Sequence, residues 1–352
     1  MKKVSIVCFF FLVTFLSSCE SNELNTEFTP SCSTEQFIQE KLINDQNMIQ
    51  TDLQAQKDVY LSESLGLWLS YLLDIGDQSR FKEQVDVLQK NFIKNNLIVW
   101  RIDGNQPATV TALIDDLRII QTLFIAGDEF SEEKYTKLAK KLSKQLLKHG
   151  EVKGIYVDFV DIHSYEKPST ITLSYISPKA YDLFYTHQLL TNAQVEKQLK
   201  LLKDIPISEQ GYWPKSYTIT DEIYHYDREL HLIDQLYIGI HLAQLDENTD
   251  DFTKWILNLY EHDQKLYGRY YANTNEPAVN FESPAVYALA VQYMLEIGED
   301  EYASTFYTQM KELKNVEWQG YIDSNTQATH SFDNLLPLLV ERKIDCASDD
   351  EE

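Results

Sequence analysis

The chain has 352 residues, of which 55 are acidic and 31 basic, and it carries a formal charge of −24. With no cluster of lysines and arginines, so acidic a chain disfavours nucleic acid, teichoic acids and anionic lipid heads as partners and favours neutral or cationic polymers. Its 43% of hydrophobic residues suffice for a sizeable core without disulfide staples, in one large domain or two ordinary ones.

At the N-terminus, Lys2 and Lys3 precede an apolar run from Val4 to Leu16 that ends in Leu16-Ser17-Ser18-Cys19. This is the pattern of a signal peptide, too short for a comfortable membrane span. Small residues before a cysteine resemble the lipobox of bacterial lipoproteins, so residues 1–18 are expected to be removed and Cys19 to be acylated. The expected location is then the cell membrane, lipid-anchored on its extracellular face. Loss of Lys2 and Lys3 takes the charge to −26. Residues 19–33 read as a polar tether, 34–343 as the folded domain and 344–352 as an acidic tail. Cys32 and Cys346 remain at opposite ends of that domain, where a closed barrel would bring them together to pair, or leave them as free thiols.

Helical apolar spacing marks twelve segments: 33–49, 62–73, 80–94, 108–126, 131–148, 178–190, 192–202, 229–245, 251–265, 284–297, 301–313 and 331–342. Ser33, Ser131, Ser177 before Pro178 and Ser283 before Pro284 supply start signals. Three inserts rich in Ile, Val, Tyr and Trp interrupt them, at 97–103, 154–175 and 211–224, and read as short strands or ordered loops. A dozen helices joined alternately by short turns and aromatic inserts imply an all-α (α/α)6 toroid, with the β inserts gathered on one groove face. No fixed-period repeat supports a solenoid instead.

No Gly-rich phosphate loop, nucleophile elbow or Cys/His metal spacing occurs, so no cofactor and no metal is expected. Asp246-x-Asn248-x-Asp250 fails as a calcium loop, since Asp251 stands where glycine is needed and Leu257 where Glu is needed. What remains is a recurrence of acids beside aromatic rings. Glu63 heads an otherwise apolar helix, Trp100-Arg101 closes the first insert, Asp115-Asp116 opens the next helix, Tyr175 precedes another, and Trp213, Asp227 and Asp234 follow. Rings cover the apolar faces of sugars while carboxylates bind hydroxyls and transfer protons, and a buried carboxyl holds its proton near neutral pH. Taken alone, Glu63 also fits a first-turn helix acid favoured by the dipole. Asp116, on a helix with apolar flanking positions, is expected to point inward and Asp115 to solvent, while His231 and His241 are expected to pack. Trp68, Trp255 and Trp318 read as core.

The order of these segments resembles glycoside hydrolase family 8. Ser62-Glu63-Ser64-Leu65-Gly66-Leu67 resembles that family's S-E-G-Q-S-Y-G-M segment, Trp100-Arg101 its W-R, Ile114 to Gly127 its D-A-D-L-x-I-A-Y-x-L-L-x-A-G helix, and Leu173 to Phe184 its P-S-Y-F-x-P-x-x-Y-x-x-F segment. There are departures: Leu65 and Leu67 stand where glutamine and tyrosine follow the acid, Ile114 takes the place of the first Asp of D-A-D, and Leu173 replaces the proline. The resemblance implies an inverting glycosidase with Glu63 as general acid. Its general base falls on Asp234, which keeps the following apolar helix but loses the motif's arginine, or on Asp227, which keeps the preceding tyrosine; Asp234 is preferred. Asp116 and Tyr175 would hold the sugar ring, with Trp100, Arg101 and Trp213 in neighbouring subsites.

The substrates implied are a self-produced exopolysaccharide or a β-1,4-linked glucan, chitosan or xylan, and an acidic groove would suit a polymer with free amines. The exopolysaccharide synthesis machinery is a further candidate partner. Two other classes stay open: a non-catalytic polysaccharide-binding lipoprotein, and a scaffold of a surface synthase complex.

Overall fold

A computed structural model describes residues 33–345. The signal segment, Cys19, Cys32 and Cys346 lie outside the described residues. All twelve expected helices are present: α1 (Ser33–Phe37), α2 (Ser62–Asp74), α3 (Gln78–Val87), α4 (Leu113–Glu129), α5 (Glu133–His149), α6 (Pro178–Thr186), α7 (Asn192–Lys203), α8 (Leu232–Ala243), α9 (Asp250–Asp263), α10 (Pro284–Glu296), α11 (Asp300–Glu312) and α12 (Phe332–Ile344). α1 and α3 each end in a π-helical turn, Ile38–Leu42 and Leu88–Phe92, where the helical spacing alone predicts longer regular helices.

The helices alternate between an inner and an outer ring. α2 packs on α4 and α12, α10 on α8 and α12, and α4 on α6, while α3, α5, α7 and α11 lie outside α2, α4, α6 and α10. Composition explains the sorting. α10 reads Pro-Ala-Val-Tyr-Ala-Leu-Ala-Val-Gln-Tyr-Met-Leu-Glu, is apolar almost all round, and buries every residue from Ala285 to Met294 except Gln292. α5 is lysine-rich on one face and buries only Tyr135, Ala139, Leu142, Ser143 and Leu146, the single stripe of an outer helix. Between α4 and α8 lies a 3-10 turn, Leu173–Tyr175, which packs on both.

Caps set where the inner helices start. The Ser177 and Ser283 hydroxyls accept from the N–H groups of Ala180 and Val286, each with proline at the first helical position. The inserts supply short antiparallel ladders. Val59–Leu61 pairs with Arg101–Asp103, which pairs with Gln106–Pro107; Ser216–Thr218 lies between Thr170–Thr172 and Ile223–His225; Glu229–His231 pairs with Arg269–Tyr271. Residues 229–231 therefore form a strand rather than the first turn of α8. Several of these ladders run directly into the first turn of an inner helix, and that is how they position the site.

Candidate active site

Glu63 sits in the first turn of α2, Asp115 in that of α4, Asp234 in that of α8 and Asp333 in that of α12. Free N–H groups and the positive helix end favour a carboxylate at each of these places. α2 begins where it does because the strand Val59–Leu61 ends at Ser62, whose N–H donates to the carbonyl of Trp100 at 2.9 Å. One turn on, Gly66 lets α2 close against α4: a Cβ there would lie 3.1 Å from Ile119 Cγ1 and 3.3 Å from Arg118 Cδ. That approach places Glu63 next to the Asp115 and Arg118 side chains.

The resulting cleft, of about 460 Å³, is lined by Glu63 and Arg118 on one side and by Thr172, Tyr175, Lys215, His231 and Asp234 on the other. Tyr237, Arg269, His330 and Phe332 also line it. Arg118 donates to Asp115 at 2.9 Å and to the Tyr237 hydroxyl at 3.4 Å, and the Ser62 hydroxyl donates to the second Asp115 oxygen at 3.0 Å. Burial first, and the Asp115 charge second, push the Glu63 carboxyl up to about 8; Arg118 opposes the rise and Asp333 adds to it. Burial raises Asp115 too, but Arg118 and Ser62 stabilise its anion. Of the two, Asp115 has the direct hydrogen bonds, from the Arg118 guanidinium and the Ser62 hydroxyl.

Asp234 occupies a different setting. The Ser174 hydroxyl donates to one of its oxygens at 2.7 Å, and His231 Nδ1 stands 3.8 Å from the other. Burial lowers His231 and Asp234 opposes that shift. Burial raises the Tyr175 phenol, with the Asp234 charge second. Asp158, absent from the sequence-derived set, holds the neighbouring strand by accepting from the Thr172 N–H at 2.6 Å and its hydroxyl at 2.9 Å.

Several sequence expectations change. Asp115 is buried at 5% exposure rather than facing solvent, and Asp116, at 2%, lies outside the cleft lining. Successive residues on a helix point about 100° apart, so the residue after Asp115 cannot share its direction. Burial first and Asp115 second raise Asp116 well above the ordinary carboxylate range, and Thr111 opposes the rise. Trp213, expected in a subsite, is 2% exposed and packs on Phe252 with ring centroids 4.3 Å apart. Gln235 fixes it there, accepting from the Trp213 N–H and donating to its carbonyl, both at 2.9 Å.

Asp227 lies outside the lining, ion-paired to Lys215 at 3.1 Å with both side chains exposed. Trp100 and Arg101 are also outside it, the guanidinium 5.9 Å over the indole ring and 2.9 Å from Asp103. His231 faces the cleft, whereas His241 is buried and held at about 3 by burial. The cleft is not acidic, because Arg118, Lys215 and Arg269 line it. Sequence reading missed these three together with His330 and Phe332; for Arg118 the signal was its place one turn after Asp115.

No protein-family model matches the chain. A putative lipoprotein of Bacillus subtilis, YdaJ, is 35% identical over 97% of both chains. The chain belongs to the YdaJ family. Among solved structures, an alpha-amylase from Clostridium perfringens is 26% identical with a TM-score of 0.81, covering 88% of this chain and 96% of that one. PssZ from Listeria monocytogenes is also 26% identical, with a TM-score of 0.75 over 89% and 96%. The endoglucanase Cel10 of Klebsiella pneumoniae, a family 8 glycosyl hydrolase, is 14% identical with a TM-score of 0.64 over 91% and 99%. This YdaJ-family chain thus has the (α/α)6 barrel of the family 8 glycoside hydrolases. Among the described residues no helix is long and apolar enough to cross a membrane.

Proposed function

We propose that this protein is a glycoside hydrolase that cuts a polysaccharide within the chain and with inversion, held at the outer face of the cell membrane by lipid on Cys19. The observation that carries the reading is the pairing of Glu63 and Asp234 in one cleft, in surroundings that suit opposite tasks. Glu63 transfers its proton to the glycosidic oxygen as the C1–O bond breaks. Asp234 takes a proton from a water whose oxygen bonds to C1 from the opposite face, and the charge developing on the ring is shared between the two steps. Solvent then reprotonates Glu63 and deprotonates Asp234. For this mechanism the two carboxyl groups are expected roughly 6.5–9.5 Å apart, which leaves room for the water.

Tyr175, beside both acids, is placed to hold the sugar ring, and Asp115 acts through Glu63 as a positioning residue. Asp227, paired to Lys215 outside the lining, is the weaker choice for the base. The names of the structural neighbours, an alpha-amylase and an endoglucanase, span both anomeric linkages and support a glycan as substrate. A glycan panel incubated with wild type, Glu63→Gln, Asp234→Asn and Asp227→Asn tests the reading. New reducing ends are expected from wild type and Asp227→Asn only; turnover by Glu63→Gln removes Glu63 from the mechanism.

A further inference from the structure

Charge along the cleft differs from charge on the rest of the chain. Overall, 55 acids face 31 lysines and arginines. In the lining, Arg118, Lys215 and Arg269 stand against two acids, Glu63 and Asp234. Three cations thus face two carboxyls, and burial pushes one of those, Glu63, up to about 8. The wall presented to a ligand is therefore basic.

The acids that partner these cations are set back from the wall. Asp115 lies buried behind Arg118, and neither Asp227 nor Glu229 lines the cleft. Arg269 and Glu229 are 3.7 Å apart and both about half exposed, and the Lys215 and Asp227 side chains are exposed to a similar degree. Exposed pairs of this kind are worth little, so both cations can turn to a ligand anion at small cost. The two flank Asp234 from separate elements: Arg269 pairs in register with His231, three residues before Asp234, and the backbone carbonyl of Lys215 accepts from the Leu173 N–H at the turn that carries Ser174 and Tyr175. His231 and His330 add ring N–H donors; burial lowers both, with Asp234 opposing at His231 and Asp333 then Asp52 opposing at His330.

Aromatic platforms are scarce in the same place. No tryptophan lines the cleft, since Trp213 is in the core, and its rings are those of Tyr175, Tyr237 and Phe332 besides the two histidines. Neutral sugars are gripped chiefly by apolar ring faces, whereas carboxylates are gripped by guanidinium and ammonium donors. Repulsion from the acidic body fades over about 8 Å at physiological salt, so the local cations decide what binds.

We propose that the glycan taken by this cleft carries carboxylate groups beside the cleavage point, on the Asp234 side, where Arg269 and Lys215 receive them. Either a uronate ring or a carboxylated substituent supplies that chemistry. The proposal rests on the reading of the cleft as a glycan site, and it replaces the free-amine polymer expected from net charge.

The test uses the full chain with Glu63→Gln, so that bound polymer stays intact, and measures affinity for amylose, C6-oxidised amylose and succinylated amylose, and for hydroxyethylcellulose against C6-oxidised cellulose. At least one carboxylated polymer is expected to bind about tenfold tighter than its neutral parent at low salt, since a hydrogen bond to a charged group is worth that much or more. Rising salt narrows the gap. Adding Arg269→Gln or Lys215→Gln is expected to weaken the carboxylated polymer at least threefold more than its neutral parent, with Arg269→Lys retaining part of the preference. Melting curves confirm that the variants fold. A preference for the C6-oxidised over the succinylated form supports the proposal and places the carboxylate on the ring; the reverse supports it and places the group on a substituent.

Equal or tighter binding of both neutral parents overturns the proposal, as does binding of no carboxylated polymer or a preference that neither substitution moves. Reducing ends released by wild type are read separately. Cutting of neutral polymers alone rejects the anionic substrate and leaves the hydrolase intact, whereas tight binding of a carboxylated polymer that is never cut rejects the hydrolase and leaves the anion site.

Discussion

The two sides of the cleft are built differently. On the Glu63 side, α2 and α4 touch through Gly66, and the acid is packed against a second acid, an arginine and a tyrosine. On the Asp234 side the walls are short strands and a 3-10 turn, and the acid is met by one hydroxyl at 2.7 Å and a histidine at 3.8 Å. Packing of two helices surrounds the proposed proton donor, while a hydroxyl, a histidine and short strands surround the proposed acceptor. The proposed division of labour would follow from environment rather than residue type.

The largest effects come from removing either member. Glu63→Gln and Asp234→Asn should each cost about a hundred- to ten-thousandfold in product release, the usual range for a positioned proton donor or acceptor. Asp227→Asn, an exposed change, should alter turnover by no more than about twofold. Equal losses at Asp234 and Asp227 would break the comparison. Next in size is a stability effect away from both sides: Trp213→Ala should destabilise by about 3–5 kcal/mol in denaturant melts, because it empties a core site, while substrate affinity of the folded fraction is unchanged.

A subtler test separates the two sides by pH. Glu63 is pushed up to about 8, so activity should fall above that value as its proton is lost. In Asp115→Asn the repelling charge is gone and Arg118 is released toward Glu63, so the alkaline limb should move to lower pH; a shift the other way would contradict the assigned environment. Linkage reads the same shift as stability. A carboxyl whose folded pKa lies above its unfolded value stabilises fully below the unfolded value, and that stability is lost as pH rises through the folded one. Wild type should therefore lose stability relative to Glu63→Gln between about pH 4.5 and 8. Thermal melts of the two proteins across that interval would show it, and parallel curves would deny it.

The barrel was legible in the sequence because twelve periodic segments and their serine and proline starts are local signals, whereas Glu63, at the head of an apolar helix, and Asp234 were singled out by the family resemblance. The direction of the two acids at the start of α4 was not legible, since it depends on the helix beginning at Leu113 with Ala112 as its cap. Trp213 looked exposed in its insert, but Gln235, on a helix twenty-two residues later, ties it into the core. The basic wall was hidden for the same reason: Arg118, Lys215 and Arg269 come from three distant elements, and only strand pairing and the α2–α4 approach bring them together.

The account depends most on Glu63 being the group that holds a proton near neutral pH. Titration of carbon-13-labelled glutamate carboxyls by NMR, with the Glu63 signal assigned by its absence in Glu63→Gln, reads this without any substrate. A midpoint near 8 is predicted. A midpoint at the ordinary glutamate value near 4.5 would contradict it.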